Sequence, residues 1–169
     1  MALKKTSGVV VISSNVGESA LNTYTEQEID LSLDILGSEV FVIQAVDIDP
    51  NPPDAVATVN TEQRGCLSTT SRTTMGTISD SNVMAFASHA IRASGFIDSG
   101  VGISSRSPDS PTASTLDSVG ICATSNMFLG TQGTNNNGAK NCQVRIWGYR
   151  AKADASTYAA LVQSEVLSA

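Results

Sequence analysis

The residues that could carry chemistry in this sequence are few, and a single histidine limits them further. His89 is the only histidine among 169 residues, so any reaction that needs an imidazole base would depend on it. The segment 86–91 around it, Phe-Ala-Ser-His-Ala-Ile, has the pattern of an ordinary strand, and no Gly-x-Ser-x-Gly motif supplies a nucleophilic serine. The sequence therefore predicts no catalytic residue and no enzymatic activity.

A metal site would have to use the carboxylates of Asp47 and Asp49. These residues stand two apart, which places both side chains on one face of a strand, and calcium binds several oxygen ligands of this kind. Aspartate and asparagine before proline are also frequent turn residues. We therefore interpret Asp47-Ile48-Asp49-Pro50-Asn51 as a turn, with calcium binding as the alternative. No phosphate-binding loop occurs, so we expect no metal and no cofactor.

The three cysteines, Cys66, Cys122 and Cys142, are widely spaced and form neither a zinc pattern nor a CxxC motif. Their odd number also argues against a dense disulfide framework. Buried free thiols are the expected state. A Cys122–Cys142 disulfide between neighbouring strands is the alternative, and it would require an oxidising compartment.

The net charge of −6 argues against a typical nucleic-acid-binding surface. Ten Lys and Arg residues are scattered along the chain, and Lys4-Lys5 is the single pair of adjacent basic residues. Phosphate binding normally needs a basic patch, so we interpret Lys4-Lys5 as a solvated terminus, with weak contact to nucleic acid or an acidic membrane as the alternative. The apolar run 8–12 is too short for a signal peptide, and no segment is long and apolar enough to span a membrane.

Uncharged polar residues that alternate with Val and Ile predict an all-β, antiparallel β-sandwich. Turn residues separate eight strand segments, at 8–14, 28–33, 39–48, 64–70, 83–93, 116–123, 127–131 and 140–149. Residues 99–115, rich in Ser, Gly, Pro and Asp, are interpreted as a long loop, and Asn135-Asn136-Asn137-Gly138 as a tight turn. We expect a single domain over 1–169, with 1–7 as an N-terminal arm.

The alternation also predicts which side chains face the core. In the segment 39–48 one side carries Val40, Val42, Val46 and Ile48, and the other carries Phe41, Ile43 and Ala45. In the last segment Cys142, Val144 and Ile146 alternate with Gln143, Arg145 and Trp147. The residues expected to be buried are Ile29, Leu31, Val40, Val42, Val144 and Ile146.

A helix is predicted over 154–167, with Asp154 as its N-cap. Its apolar side is Tyr158, Leu161, Val162 and Val166, and this side must pack against something because so short a helix is marginal alone. The face that carries Arg145, Trp147 and Tyr149 and a neighbouring subunit are the two alternatives. An exposed sugar-binding platform of Trp147 and Tyr149 is the competing interpretation of that face. The predicted interface residues are therefore Tyr158, Leu161, Val162, Val166, Trp147 and Tyr149.

The order of these features resembles the single jelly-roll capsid proteins of tailless icosahedral viruses of archaea and bacteria. The resemblance covers most of the chain by layout. It lies in Ile29-Asp30-Leu31-Ser32-Leu33, then Glu39-Val40-Phe41-Val42-Ile43, then Met127-Phe128-Leu129-Gly130-Thr131-Gln132-Gly133, then Gln143-Val144-Arg145-Ile146-Trp147-Gly148-Tyr149-Arg150, and finally Tyr158-Ala159-Ala160-Leu161-Val162-Gln163-Ser164-Glu165.

The resemblance implies a jelly-roll sandwich that assembles with copies of itself into an icosahedral shell around a genome. It implies a virion protein, assembled in the host cytoplasm, whose further partners would be other capsid or vertex proteins and, through Lys4-Lys5, the genome or an inner membrane. It implies no small-molecule substrate. A carbohydrate- or receptor-binding sandwich is the leading alternative, and a cryptic hydrolase built on His89 and a serine is another.

Overall fold

A computed structural model describes residues 3–95, 101–107 and 117–167. Within them the chain forms ten strands and one helix, and every segment predicted as a strand overlaps one of these strands. In chain order the elements are β1 (Lys4–Lys5), β2 (Val10–Gly17), β3 (Thr25–Asp30), β4 (Glu39–Pro50), β5 (Thr61–Ser68), β6 (Val83–Arg92), β7 (Gly102–Arg106), β8 (Gly120–Cys122), β9 (Asn126–Thr134), β10 (Asn141–Lys152) and α1 (Ala155–Leu167).

The strands form two antiparallel sheets of five strands each. In sheet A, β1 and β2 pair with one edge of β10, while β4 pairs with its other edge and is followed by β8. Sheet B has the order β3-β9-β5-β6-β7. Most successive strands therefore lie in different sheets, and the two sheets pack face to face. The predicted all-β sandwich with a short C-terminal helix is confirmed.

The strand order is that of a jelly roll. Eight strands remain when the short β1 and the edge strand β7 are set aside. Sheet A then holds the first, eighth, third and sixth of them, and sheet B holds the second, seventh, fourth and fifth. This interleaving is produced when one long antiparallel ribbon is wrapped into two sheets, as in the double Greek key.

The residues that alternation predicted to be buried are buried, and four of the six lie in the core between the sheets. All six residues expected to be buried are 5% exposed or less. Ile29, Val144 and Ile146 lie in the inter-sheet cluster, together with Leu31. Leu31 lies beyond the end of β3, but it stays buried because its N–H donates to the carbonyl of Ser125 at 2.7 Å.

A β-bulge in β4 corrects the predicted faces of that strand. Trp147 pairs with Ala45 and Gly148 pairs with Ile43, which leaves Gln44 without a partner in β10. The extra residue moves the side chains after it to the opposite face. The prediction that Val40, Val42, Val46 and Ile48 share one side of the strand is therefore wrong. Val46 and Ile48 face the inter-sheet core with Phe41 and Ile43. Val40 and Val42 belong to a second cluster.

Gly148 fits this irregularity. A Cβ atom at this position would lie 2.5 Å from the carbonyl oxygen of Val42 and 2.6 Å from the ring of Phe41. The backbone of β10 therefore approaches β4 too closely for any larger residue. A glycine inside a strand is a known sign of a bulge, and it was the available signal in the sequence.

Two segments predicted as turn or loop contain strand instead. Strand β4 continues to Pro50, so Asp47 and Asp49 lie in the strand and their interpretation as turn residues is wrong. Proline is tolerated there because β8 pairs only with residues 41–43, which leaves one edge of β4 free at Pro50. Residues 102–106 of the predicted loop 99–115 form β7, which pairs with β6. Residues 99, 100 and 108–115 of that loop lie outside the described residues.

Candidate functional site

The helix α1 begins where its capping residue was predicted. The carboxylate of Asp154 accepts hydrogen bonds from the Ser156 hydroxyl at 2.7 Å, from the Thr157 N–H at 2.8 Å and from the Thr157 hydroxyl at 3.0 Å. These bonds, led by the one from Ser156, lower the pKa of Asp154 to about 2. An ionised carboxylate at a helix N-terminus also complements the helix dipole. Asp154 therefore fixes the point at which the chain leaves sheet A.

The helix packs on the outer face of sheet A, the side that faces away from sheet B. Its residues Tyr158, Leu161 and Val162 contact a cluster built on this face. The buried members of the cluster are Val40, Val42, Ala123, Ala151 and Ala153. The apolar pattern of the helix therefore meets an apolar patch that the bulge in β4 places on the outside of the sheet.

Glu165 is the residue of this contact that the sequence analysis missed. It is 8% exposed, and its carboxylate accepts hydrogen bonds from the backbone N–H groups of Ala123 at 2.7 Å and Thr124 at 3.1 Å. The hydroxyl of Tyr158 donates to the carbonyl of Ala123 at 3.2 Å. Burial, aided by the nearby charge of Glu165, raises the pKa of Tyr158. Polar groups near both ends of the helix, on Tyr158 and Glu165, thus bind it to the turn between β8 and β9.

The predicted apolar stripe is corrected at its C-terminal end. Val166 is 63% exposed and Leu167 is 77% exposed, whereas Glu165 faces the sheet. Glu165 is seven residues after Tyr158, which is almost two full turns, so the two side chains share a face. Val166 was predicted to face the sheet because it is apolar, but the helical period places Glu165 there. The carboxylate can be buried because two backbone N–H groups donate hydrogen bonds to it.

The outward side of α1 carries no charged residue. Glu165 is the only charged residue among the thirteen of the helix, and it is buried. Exposed positions are occupied by Ala, Ser, Gln, Val166 and Leu167. A helix that faces water permanently normally shows charged side chains on that face. This surface, defined by the exposed residues of 155–167, is named the helix surface below.

The rest of the outer face of sheet A is not covered by the helix. Trp147 lies between Ala45 of β4 and Val11 of β2, and Val11 is 53% exposed. Further along β10, Arg145 lies between Ser13 and Asp47, with Gln143 beside Asp49 in the next row of that face. We call this region the open half and the helix-packed region the covered half.

Trp147 and Tyr149 share the outer face of β10 but have different surroundings. Tyr149 packs at the edge of the covered half, and the ammonium of Lys5 lies 4.5 Å from the centre of its ring. The guanidinium of Arg145 lies 5.9 Å from the ring of Trp147 on the open half. Each ring thus has a cation from its own chain near it, and the sugar-binding platform of Trp147 and Tyr149 stays a prediction. Lys4 and Lys5 pair with Lys152 and Ala151, so these arm residues belong to sheet A.

The other candidate residues are not brought together by the fold. Asp47 and Asp49 are exposed on the open half, and no group of three or more His, Cys, Asp or Glu residues is placed to hold a metal within the described ranges. His89 lines a small apolar depression with Pro52, Pro53, Ile91 and Ile103. Among the residues that the structure describes, no side-chain hydrogen bond joins the imidazole of His89 to a serine or a carboxylate.

The three cysteines are free and buried, so the expectation of buried free thiols is confirmed and the Cys122–Cys142 bridge is not formed. Burial raises the pKa of Cys122 and of Cys142 to about 12, and it also raises the pKa of Cys66. Thiolates are the reactive form of cysteine. These side chains therefore act as small apolar groups of the core.

A polar network that the sequence analysis missed closes one end of the sandwich. Asn136 is only 3% exposed, and its side chain donates to Gln63 at 3.1 Å and accepts from the N–H of Asp54 at 3.0 Å. Its backbone N–H donates to Asn22 at 3.0 Å. On the same hairpin, the N–H groups of Gly133 and Lys140 donate to the carboxylate of Glu18, which follows β2. The Asn-rich turn between β9 and β10 therefore ties three loops together, and we call this set the hairpin-tip network.

Comparison with known proteins finds no matching family model and no matching curated protein. A solved structure titled Desmodium yellow mottle tymovirus is similar to this chain at 9% sequence identity, with 88% of this chain and 91% of that chain covered and a TM-score of 0.28. A similarity at this TM-score carries no conclusion for this chain. Among the described residues, no helix has the length and apolar character needed to cross a membrane.

Proposed function

We propose that this chain is a structural coat protein that assembles with copies of itself into a large symmetric shell around a genome. The observation that carries the proposal is the uncharged helix surface, with Val166 and Leu167 exposed at its end. The jelly-roll sandwich supplies a rigid block on which such a surface is held. The proposal assigns the chain to a virion and gives it no enzymatic role.

The chemistry of the helix surface supports a protein partner. Charged residues are depleted at the centres of protein interfaces, because each one must lose its water on association. In the helix, the single carboxylate is turned inwards to backbone N–H groups, and the outward side is left with groups that are cheap to desolvate. A second copy of the chain is the partner that such a self-assembling subunit requires. Contacts with other capsid or vertex proteins, and of Lys4-Lys5 with a genome or inner membrane, stay predictions.

The test is the size of the purified particle. Size-exclusion chromatography with light scattering and negative-stain microscopy should detect large symmetric particles of the wild-type chain. A Val166→Glu variant should raise the protein concentration needed for assembly by at least about tenfold, because the new carboxylate would have to be desolvated at the contact.

Ile78→Glu is the matched control, because Ile78 is 65% exposed and lies outside α1. It places the same charge on a comparably exposed apolar residue and should assemble like the wild type. A wild-type chain that stays a monomer or a discrete small oligomer at high concentration contradicts the proposal. Equal assembly of both variants would remove the helix surface from the contact.

A further inference from the structure

The tip of the β9–β10 hairpin contains the dipeptide Asn137-Gly138, a sequence that is prone to deamidation. An asparagine followed by glycine can lose its side-chain amide, because glycine has no Cβ to keep its backbone nitrogen away from the asparagine side chain. Asn137 is exposed to water, and a Cβ atom built on Gly138 would meet no other group within 4 Å. Nothing in the packing around this dipeptide therefore blocks the reaction by crowding.

One contact does oppose the reaction. The carboxylate of Asp54 accepts hydrogen bonds from the backbone N–H of Asn137 at 2.9 Å and from that of Gly138 at 3.2 Å, both on Oδ2. Its other oxygen is paired with the ammonium of Lys140. The hydrogen bond from Lys140 is the main cause that lowers the pKa of Asp54, so the carboxylate is charged at neutral pH. The nitrogen that would attack is therefore tied to an anion.

We propose that Asn137 is a deamidation site at which the hydrogen bonds to the Asp54 carboxylate slow the reaction. In the reaction the nitrogen of Gly138 attacks Cγ of Asn137, so that a new N–Cγ bond forms and the Cγ–Nδ2 bond breaks. The nitrogen of Gly138 gives up its proton and ammonia leaves, which produces a cyclic succinimide. Water then opens the ring to aspartate or isoaspartate. No oxidant, metal or enzyme is needed.

Asp54 acts against this sequence in two ways. Its hydrogen bond directs the N–H of Gly138 towards Oδ2 and fixes the backbone on both sides of the Asn137 side chain. Its negative charge also disfavours removal of the Gly138 proton, because a second negative charge would form beside the first. Deamidation would then require the tip to open locally. Such opening costs more free energy where hydrogen bonds to charged groups must break, so the open form is rare.

The product would alter the hairpin-tip network. A carboxylate at position 137 would stand next to the carboxylate of Asp54, and the repulsion would weaken the tie between the hairpin and the loop that carries Asp54. The same loop is joined to Asn136 through the N–H of Asp54. This inference does not depend on the proposed function, because it concerns the chemistry of the folded chain alone.

The experiment follows deamidation by peptide mapping with mass spectrometry during incubation at mildly alkaline pH. In the Asp54→Ala variant, Asn137 should deamidate at least about tenfold faster than in the wild type, because the two backbone hydrogen bonds to a charged group are lost. Asp54→Asn keeps the size of the side chain and should show a smaller increase. It also provides the comparison if the alanine variant does not fold.

Two controls separate the proposed cause from others. Lys140→Met removes the partly buried ion pair with Asp54 but leaves both backbone hydrogen bonds, so the deamidation rate at Asn137 should stay within about twofold of the wild type. Gly138→Ala added to Asp54→Ala should restore slow deamidation, since a methyl group fits in the open space there. Equal rates at Asn137 in wild type and Asp54→Ala would overturn the proposal. So would equal acceleration at Asn22, Asn136 and Asn137, which would indicate general loosening of this end.

Discussion

The covered and open halves of the outer face of sheet A belong to the same strands and yet differ in character. Along β4 the outward residues are Val40 and Val42 under the helix, and then Asp47 and Asp49 beyond the bulge. Along β10 the outward residues change in the same direction, from Ala151 to Arg145. The outward residues of these two strands are all apolar under the helix, whereas charged side chains occur among them only where no second layer covers the sheet. Between the two regions, the row of Val11, Trp147 and Ala45 is apolar although the helix does not cover it.

Removal of the helix should have the largest effect, because it converts the covered half into an open one. A chain that ends at Ala153 would expose Val40, Val42 and Ala151, which are at most 2% exposed in the intact protein. We expect a loss of at least about 3 kcal/mol of unfolding free energy, since several apolar side chains lose their cover. Chemical denaturation of the soluble fraction measures this, with aggregation as a second sign. An unchanged midpoint would mean that the helix is a dispensable tail.

The core between the sheets lies beneath both halves and provides the next test. Ile146 is fully buried, so Ile146→Ala should lower the unfolding free energy by about 2–4 kcal/mol through lost burial and a residual cavity. Val11→Ala, on the open half, should change it by less than about 0.5 kcal/mol. Urea titrations of both variants give the two values. Similar losses for both would show that the open half is covered in the folded protein.

Glu165 binds the end of the helix to the covered half, and its removal tests how much the polar contact contributes. Glu165→Gln keeps the shape but places an NH2 group opposite one of the two N–H donors of Ala123 and Thr124. An unsatisfied buried donor costs about 1–3 kcal/mol, so a loss of this size is expected in denaturation. Gln163→Ala, at an exposed position of the same helix, is the control. If the two variants lose equal stability, the carboxylate makes no special contribution.

Alternation in the sequence was sufficient to identify the buried residues but not their layer. Val40 and Val42 were predicted to be buried and are, yet they pack under α1 and not between the sheets. The reason is the bulge at Gln44, since period-two reasoning assumes an uninterrupted strand. Gly148 was the local sign of a close backbone approach. The choice of Gln44 as the extra residue depends on pairing with β10, which is distant in sequence.

The burial of polar residues could not be predicted from sequence patterns, for a related reason. Glu165 looks like a solvated helix residue, because the N–H groups that donate to its carboxylate are those of Ala123 and Thr124, far earlier in the chain. Asn136 looks like an ordinary turn residue, although its partners are Gln63 in β5 and Asp54 in the loop that follows β4. Whether a polar side chain is buried depends on such distant partners. Local features with local partners, such as the Asp154 cap, were predicted correctly.

The smallest expected effect on stability comes from the Asp154 cap at the start of the helix, and this effect depends on pH. Hydrogen bonds lower the pKa of Asp154 from 3.8 to about 2 in the folded chain. A lowered pKa means that the ionised carboxylate stabilises the fold above about pH 4, and that this contribution is lost as the pH falls towards 2. The melting temperature of the wild type should therefore fall in this interval relative to that of Asp154→Asn, which still caps the helix but has no charge to lose.

Between about pH 5 and pH 7 the difference between the two melting temperatures should be constant, because Asp154 stays ionised. Thermal melts followed by circular dichroism across the pH series measure it. Parallel curves down to pH 2 would show that the charge of Asp154 does not hold the covered half in place.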